Sequence, residues 1–460
     1  MKELKPSSTL FVDNNKSLKI INTIFLCWGF ITAVNSFLLG EFTHAVEIHE
    51  GSSIWNFLAA LENFSGGILK FTKTPNLIFG FVFFSAYFFC GIPAGYLVDK
   101  KGLKQSIIIG LIVAASAVFI LVPGARSQSY WLMMLGVFVQ FTGFTILQVA
   151  CNPYIIFVGK PSEGAARLSM AGAHNSFGSW LAPLIGTLVI LADTSEATKL
   201  NMTLTEYQTE LIVLPYVLIT VFFAGMAVLI HFSDLPLMDH HRNVATNLIN
   251  DAKTSIFQYR HVILGFFAII TYVCAEVMVA GLILTPYLSQ HITSPELIKS
   301  ITFVASYFAG CMMVGRFVGA SILRNTKPKK ALVACGLFAC GLSIASALIP
   351  TQEAMFFILA IGLFNGIMWP AIFDITIRGM GKMMPYASAL LIVGIVGAPI
   401  GIFLFEWIHI PFNESINNKV EHIRSLNYAL VPVIICYAYI VYYAISGHKY
   451  NKLTTIIPEK

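Results

Sequence analysis

The residues with the clearest chemical potential sit in GFTILQVACNPYIIFVGK, Gly143 to Lys160, where no charge falls before Lys160 yet Gln148 and Asn152 lie one helical turn apart. Four residues of separation put both amides on one helix face, and each amide can donate and accept a hydrogen bond. Pro153 follows and cannot donate to the carbonyl of Val149, which frees an acceptor in the middle of an apolar run. Polar residues recur in other apolar stretches: Asn35 and Ser36, His174 and Asn175, Glu276, and Asn365. Trp28 and Trp369 stand near two of them in the sequence and, with Tyr87, offer flat apolar faces. Singly, such groups tie helix to helix for about 1 kcal/mol. Gathered around one space, they suit a neutral solute with many hydroxyls, such as a sugar.

Charge in such runs is rarer and more telling. An acid at the centre of a membrane helix costs about 2.5–3.5 kcal/mol on insertion scales, so a retained one is a functional candidate. Glu276 and Asp374 qualify. Glu276 exchanges a proton, accepts a solute hydroxyl, or pairs with Arg316; Asp374 lies four residues before Arg378, the spacing of an intrahelical pair. His174 is a third titrating candidate, with an ordinary pKa of about 6.5, although a lone histidine in a membrane more often serves as an interhelical hydrogen-bond partner. No HExxH, no GxSxG and no paired membrane aspartates occur, so enzyme chemistry is not expected. Cys27, Cys90, Cys151, Cys274, Cys311, Cys335, Cys340 and Cys436 all fall in apolar runs without clustered histidines, and read as small core residues rather than metal ligands.

The elements that carry these groups follow from composition. Of 460 residues, 57% are hydrophobic and 11% charged, against roughly a quarter charged in soluble domains. Twelve runs long enough to cross a bilayer begin near Leu18, Leu77, Gln105, Tyr130, Leu168, Leu211, His261, Ser300, Ala331, Ala354, Pro385 and Leu426. The runs are continuous rather than alternating, which predicts an all-α membrane protein and excludes a β-barrel. The first run follows a polar stretch and is long enough to span, so it is expected to stay as a helix rather than be cleaved. Basic residues gather on one side, at Lys2, Lys5, Lys16 and Lys19, at Lys100, Lys101 and Lys104, at Arg324, Lys327, Lys329 and Lys330, and at Arg378 and Lys382. The positive-inside rule makes that side, with both termini, cytoplasmic. The net charge of +6 therefore reports topology and not a nucleic-acid partner.

The chain divides into a cytoplasmic segment 1–17, a six-helix bundle 18–232 with an extracytoplasmic insertion at 41–75, a cytoplasmic linker 233–260, a second bundle 261–446 and a tail 447–460. Three echoes link the halves: GYLVDKKGLK (Gly95 to Lys104) with GASILRNTKPKK (Gly319 to Lys330), CNPYII with MWPAIF, and LAPLIG with GAPIG. Parallel repeats of six helices are the arrangement of the major facilitator superfamily, with the solute site between the halves at mid-membrane. The string around Asp99, Lys100, Lys101 and Lys104 resembles that superfamily's signature loop.

The likeness extends further. QVACNPYIIFVG with ARLSMAGAHNSFGSWLAPLIG (Ala166 to Gly186), YVCAEVMVAGLILTPYL, GRFVGASIL, FNGIMWPAIFDITIRGMGK and WGFITAVNSFLLG (Trp28 to Gly40) are similar to helices of the fucose-galactose-glucose:proton symporter family. The resemblance implies two pseudo-symmetric six-helix bundles in a bacterial inner membrane, working as a monomer that imports a hexose or deoxyhexose with a proton or sodium ion and no cofactor. It implies solute contact by Asn35, Gln148, Asn152, Asn175 and Trp369, with Trp28 packing nearby. Asp99 and Arg316 are expected to hold one access state. Two departures stand out: the fucose branch of the family has an aspartate where this chain has Ser36 and a glutamate where it has Gln148. Gly172 and His174 also replace the family's usual glutamine and phenylalanine. Coupling through the usual first-helix acid is therefore not available, which leaves Glu276, Asp374 and His174. A facilitator or exporter of another polar solute, and a sugar sensor that does not translocate, are the alternative readings.

Overall fold

In hydrocarbon every backbone polar group must be satisfied within its own segment or a closed sheet, and the described residues of this chain meet that demand with helices. The computed structural model describes residues 15–45, 51–69, 71, 76–190, 204–233, 255–284, 301–349, 353–413 and 419–449, and no strand occurs among them. The first half comprises α1 (Asn15–Ala45), α2 (Ser53–Phe64), α3 (Asn76–Ser116), α4 (Val118–Arg126), α5 (Tyr130–Phe157), α6 (Gly164–Ile190) and α7 (Leu204–Phe232). The second comprises α8 (Arg260–Val277), α9 (Ile301–Asn325), α10 (Pro328–Leu348), α11 (Ala354–Ile377), α12 (Met384–Val393), α13 (Gly397–Asn413) and α14 (Lys419–Tyr442). Each of the twelve expected spans falls on helix. Residues 1–14, most of the linker and most of the tail lie outside the described residues.

Local chemistry explains the departures from twelve plain rods. The second and third runs share α3, which turns at Gly102 with φ +76°, a left-handed backbone that glycine adopts without a Cβ penalty. The signature-like loop is therefore the corner between two spans. The seventh run widens after Val277 into a π-helical stretch, Met278–Ile283, immediately beyond Glu276. The eleventh run is broken by a short 3₁₀ turn at Gly394–Val396 between α12 and α13. In the 41–75 insertion, Ser52 caps α2 by accepting from the Trp55 amide at 3.1 Å, and Phe57 stacks edge-on to Trp131 at the start of α5.

Nine helical stretches among the described residues are long and apolar enough to cross a membrane. The expected spans not among them are α6 and α9, which carry Arg167, His174, Asn175 and Arg316 and pack against each other across the divide between halves. Within the first half α3 packs on α5 and α1 on α6; within the second α10 packs on α11 and α8 on α13. The halves meet through α6 with α9 and α11, and through α12 with α3 and α5.

Candidate functional site

The carbonyl that Pro153 leaves without its helical donor does not open onto a void. Ser388 of α12, in the opposite half, donates its hydroxyl to Val149 O at 2.9 Å. The helix breaker in α5 thus creates a contact between halves, and the amides that flank it face a different space. Gln148 and Asn152 line a cavity of about 290 Å³ between the halves. Phe25, Trp28 and Tyr87 with Gly172, Asn175 and Ser179 join them on the first-half wall. Tyr272, Glu276, Arg316, Trp369 and Pro370 form the second-half wall.

Some of the polar atoms are held by protein and some are not. Gln148 Nε2 donates to the Tyr87 hydroxyl at 3.1 Å, which leaves the amide oxygen for another partner. Asn175 Nδ2 donates to Phe25 O at 3.1 Å, so its oxygen is the end left to accept. Asn152 is 1% exposed, and its Nδ2 finds no hydrogen-bond partner among the described residues. A buried donor left unmade costs about 1–3 kcal/mol, a penalty that a solute hydroxyl would remove. Aromatic faces frame these groups: Trp28 packs at 5.5 Å from Phe25 and 6.0 Å from Phe144, and Trp369 lies 6.1 Å from Tyr272 and stacks on Phe373.

Arg316 spans the divide inside this chamber. Its Nη1 donates to Gly172 O at 2.9 Å and to Ser176 Oγ at 2.6 Å, while Ser169 Oγ donates to the Arg316 carbonyl at 2.8 Å. Gly172 stands close to the Arg316 side chain, so a larger residue there would press on the guanidinium. Glu276 lines the same cavity, with no salt bridge to Arg316 within 4 Å.

The other candidates divide cleanly. Trp28, Gln148, Asn152, Asn175, Glu276, Arg316 and Trp369 meet at the chamber. Asn35 is buried between helices of its own half, donating to Gln140 Oε1 at 2.7 Å. Asn365 sits one layer behind the wall: its side-chain oxygen accepts from Tyr437 at 2.9 Å and its carbonyl from Tyr272 at 3.3 Å. His174 holds Met170 O at 2.8 Å and lies 6.2 Å from Phe317, away from the chamber lining. Ser36 lies on α1 with its side chain outside the described residues.

Asp374 and Asp99 sit nearer the end of the molecule that carries the basic loops. Arg378 Nε donates to Asp374 Oδ2 at 2.7 Å, and Arg378 Nη2 reaches Pro161 O of the other half at 2.7 Å. Asp374 is fully buried against Gly164, the first residue of α6. Tyr386 donates to Asp99 Oδ2 at 3.3 Å, another link across the divide. Thr32, Ser169 and Ser179 also line the chamber and were not singled out from sequence; small hydroxyl residues in apolar helices are too common to mark themselves.

Comparison with known proteins extends this picture. The chain matches the Major Facilitator Superfamily over residues 23–405. It is 33% identical over 433 residues to a glucose/galactose transporter of Brucella abortus biovar 1 (strain 9-941), covering 94% of each protein. It is 26% identical over 397 residues to the L-fucose-proton symporter of Escherichia coli K12, with 83% of this chain and 84% of the symporter aligned. The crystal structure of an E. coli fucose:proton symporter superposes with a TM-score of 0.71 at 23% identity, covering 94% of this chain and 98% of that one, which identifies the same fold.

Proposed function

The chain belongs to the Major Facilitator Superfamily, and from that premise we propose that it is a multi-pass membrane transporter that imports a hexose by alternating access, coupled to a proton or sodium ion. Glucose and galactose are the first substrates to test, because the relative at 33% identity is named for them. The carrying observation is the chamber wall: Gln148, Asn152 and Asn175 present unused amide valences from one half opposite Trp369 and Tyr272 of the other. A sugar ring has apolar faces and a polar rim, so aromatic residues can cover the former while amides hold the latter. A guest touched by both halves binds most tightly when they close on it, which is the differential affinity that alternating access requires.

Glu276 is the coupling group in this reading, with Arg316 of the same half as the cation that answers its charge. Asn35, Asn365 and His174 act by holding helices rather than by touching sugar. The basic loops and both termini are assigned to the cytoplasm, and the functional unit to a monomer.

The test is counterflow in proteoliposomes of labelled glucose, galactose, fucose and mannose, with pH and sodium gradients then imposed separately. Saturable exchange of glucose or galactose is the expected result; no exchange of any of the four would overturn the sugar assignment. Glu276→Gln is expected to keep counterflow and lose accumulation against a gradient. Unchanged gradient dependence in that variant would remove Glu276 from coupling.

A further inference from the structure

The internal repeat supplies a control for a second concave site, far from the chamber. In the first half the string Gly95 to Lys104 ends on a lysine whose Nζ donates to the carbonyls of Ser233 and His231, at 2.7 and 3.3 Å, and so closes the C-terminal end of α7. In the second half the matching string Gly319 to Lys330 also ends on lysines, but the end of α14 is held by a different group. The ring of His448 lies 3.3 Å from Tyr443 O. Lys329 and Lys330 are thereby released from the capping role that Lys104 performs.

Released, they line a hollow of about 400 Å³ together with His448 and Lys449, over a floor of Val333, Ala444 and Ile445. Among the described residues no carboxylate lines it. The imidazole of His448 is held below its ordinary pKa chiefly by burial, with the fields of Lys329 and Lys449 adding to this against its bond to the Tyr443 carbonyl. The floor is apolar, and Ile445 is 52% exposed on the outer surface of the bundle. The hollow lies where α14 ends and α10 begins, at the level of the basic loops.

We propose that this hollow binds the phosphate headgroup of an anionic phospholipid, with Lys329, Lys330 and Lys449 around the phosphate and an acyl chain along Ile445 and Val333. A basic rim beside an exposed apolar wall fits an amphiphile better than a free anion, because a soluble phosphate gains nothing from the wall. The site does not depend on which solute the chamber carries.

Native mass spectrometry of the purified full-length protein, titrated with phosphatidylglycerol and phosphatidylcholine, tests it. The wild type is expected to retain one phosphatidylglycerol at least tenfold in preference to phosphatidylcholine. Each lysine changed to glutamine should lower retention roughly fivefold, and K329Q/K330Q/K449Q should erase the preference. K329R/K330R/K449R should keep it, as should K100Q/K101Q in the first half. Equal retention of both lipids by the wild type would overturn the proposal, as would an undiminished preference in the glutamine triple variant. Displacement of the lipid by millimolar glycerol phosphate would reassign the hollow to a soluble phosphate. If the triple variant does not fold, K329Q and K330Q singly give the same reading through their fivefold steps.

Discussion

At the residue scale the chamber poses a trade between stability and recognition. Asn152 is buried with an amide donor unmade, and a protein selected for stability alone would place an apolar side chain there. Asn152→Leu, close in volume, is therefore expected to raise thermal stability by about 1–3 kcal/mol while weakening solute binding roughly ten- to a hundredfold. A melting curve and a counterflow concentration series on the same preparation check both halves of the expectation; a variant both less stable and fully active would refute it. Residue type alone did not separate Asn152 from Asn35. Both are asparagines in apolar helices, yet Asn35 spends its donor on Gln140 while Asn152 faces the chamber. What decides is rotation about the helix axis, and in α5, where nearly every position from Phe144 to Ile156 is buried, hydrophobic periodicity carries no phase. Gln148 and Asn152 were legible as a pair because their spacing fixes a shared face whatever the phase.

At the element scale, the two halves use the same packing device in equivalent places. A Cβ on Gly29 of α1 would overlap the Asn175 carbonyl on α6, and one on Gly397, which opens α13, would overlap the Ile270 carbonyl on α8. First and fifth spans, and seventh and eleventh, therefore approach backbone to backbone. Glycine permits this contact because dispersion and close packing, rather than a hydrophobic force, hold helices together in lipid. Gly29→Ala and Gly397→Ala are each expected to cost about 1–3 kcal/mol through overpacking. Gly225→Ala in α7 and Gly341→Ala in α10, which have open space around them, should not destabilise. Thermal unfolding in detergent distinguishes the two pairs, and equal effects would show that close approach is not what these glycines serve. The echo of LAPLIG and GAPIG made the duplication visible in sequence, whereas the break of the eleventh span at Gly394–Val396 did not show, since Gly and Pro in membrane helices are compatible with continuity.

At the scale of the whole molecule, the links between halves among the described residues include a set on the side of the chamber toward the basic loops. Arg378 joins Asp374 to the Pro161 carbonyl, Tyr386 meets Asp99, and Ser388 answers the carbonyl freed by Pro153. The Asp374 carboxylate adds a charge at the first residue of α6, where the helix dipole favours an anion. Sequence pointed to the Asp374–Arg378 pair through its four-residue spacing, but not to its bond with the other half, because Pro161 is remote in the chain and contributes only a carbonyl. That bond ties α11 to the other half, and the pair is expected to act as a latch that holds this face shut. Arg378→Ala would leave Asp374 buried and unpaired in the closed form, a loss of about 3–5 kcal/mol, and the face should open. Removing Asp374 as well should recover part of that loss, since no charge then remains to be buried. A cysteine at Leu168 in the chamber lining, in a protein otherwise cleared of reactive thiols, reports the change as faster alkylation from the basic side. Faster labelling in Arg378→Ala that falls back toward the parent rate in Asp374→Ala/Arg378→Ala is the expected pattern; identical rates in all three would mean that the ion pair stabilises α11 alone and plays no part in closing the face.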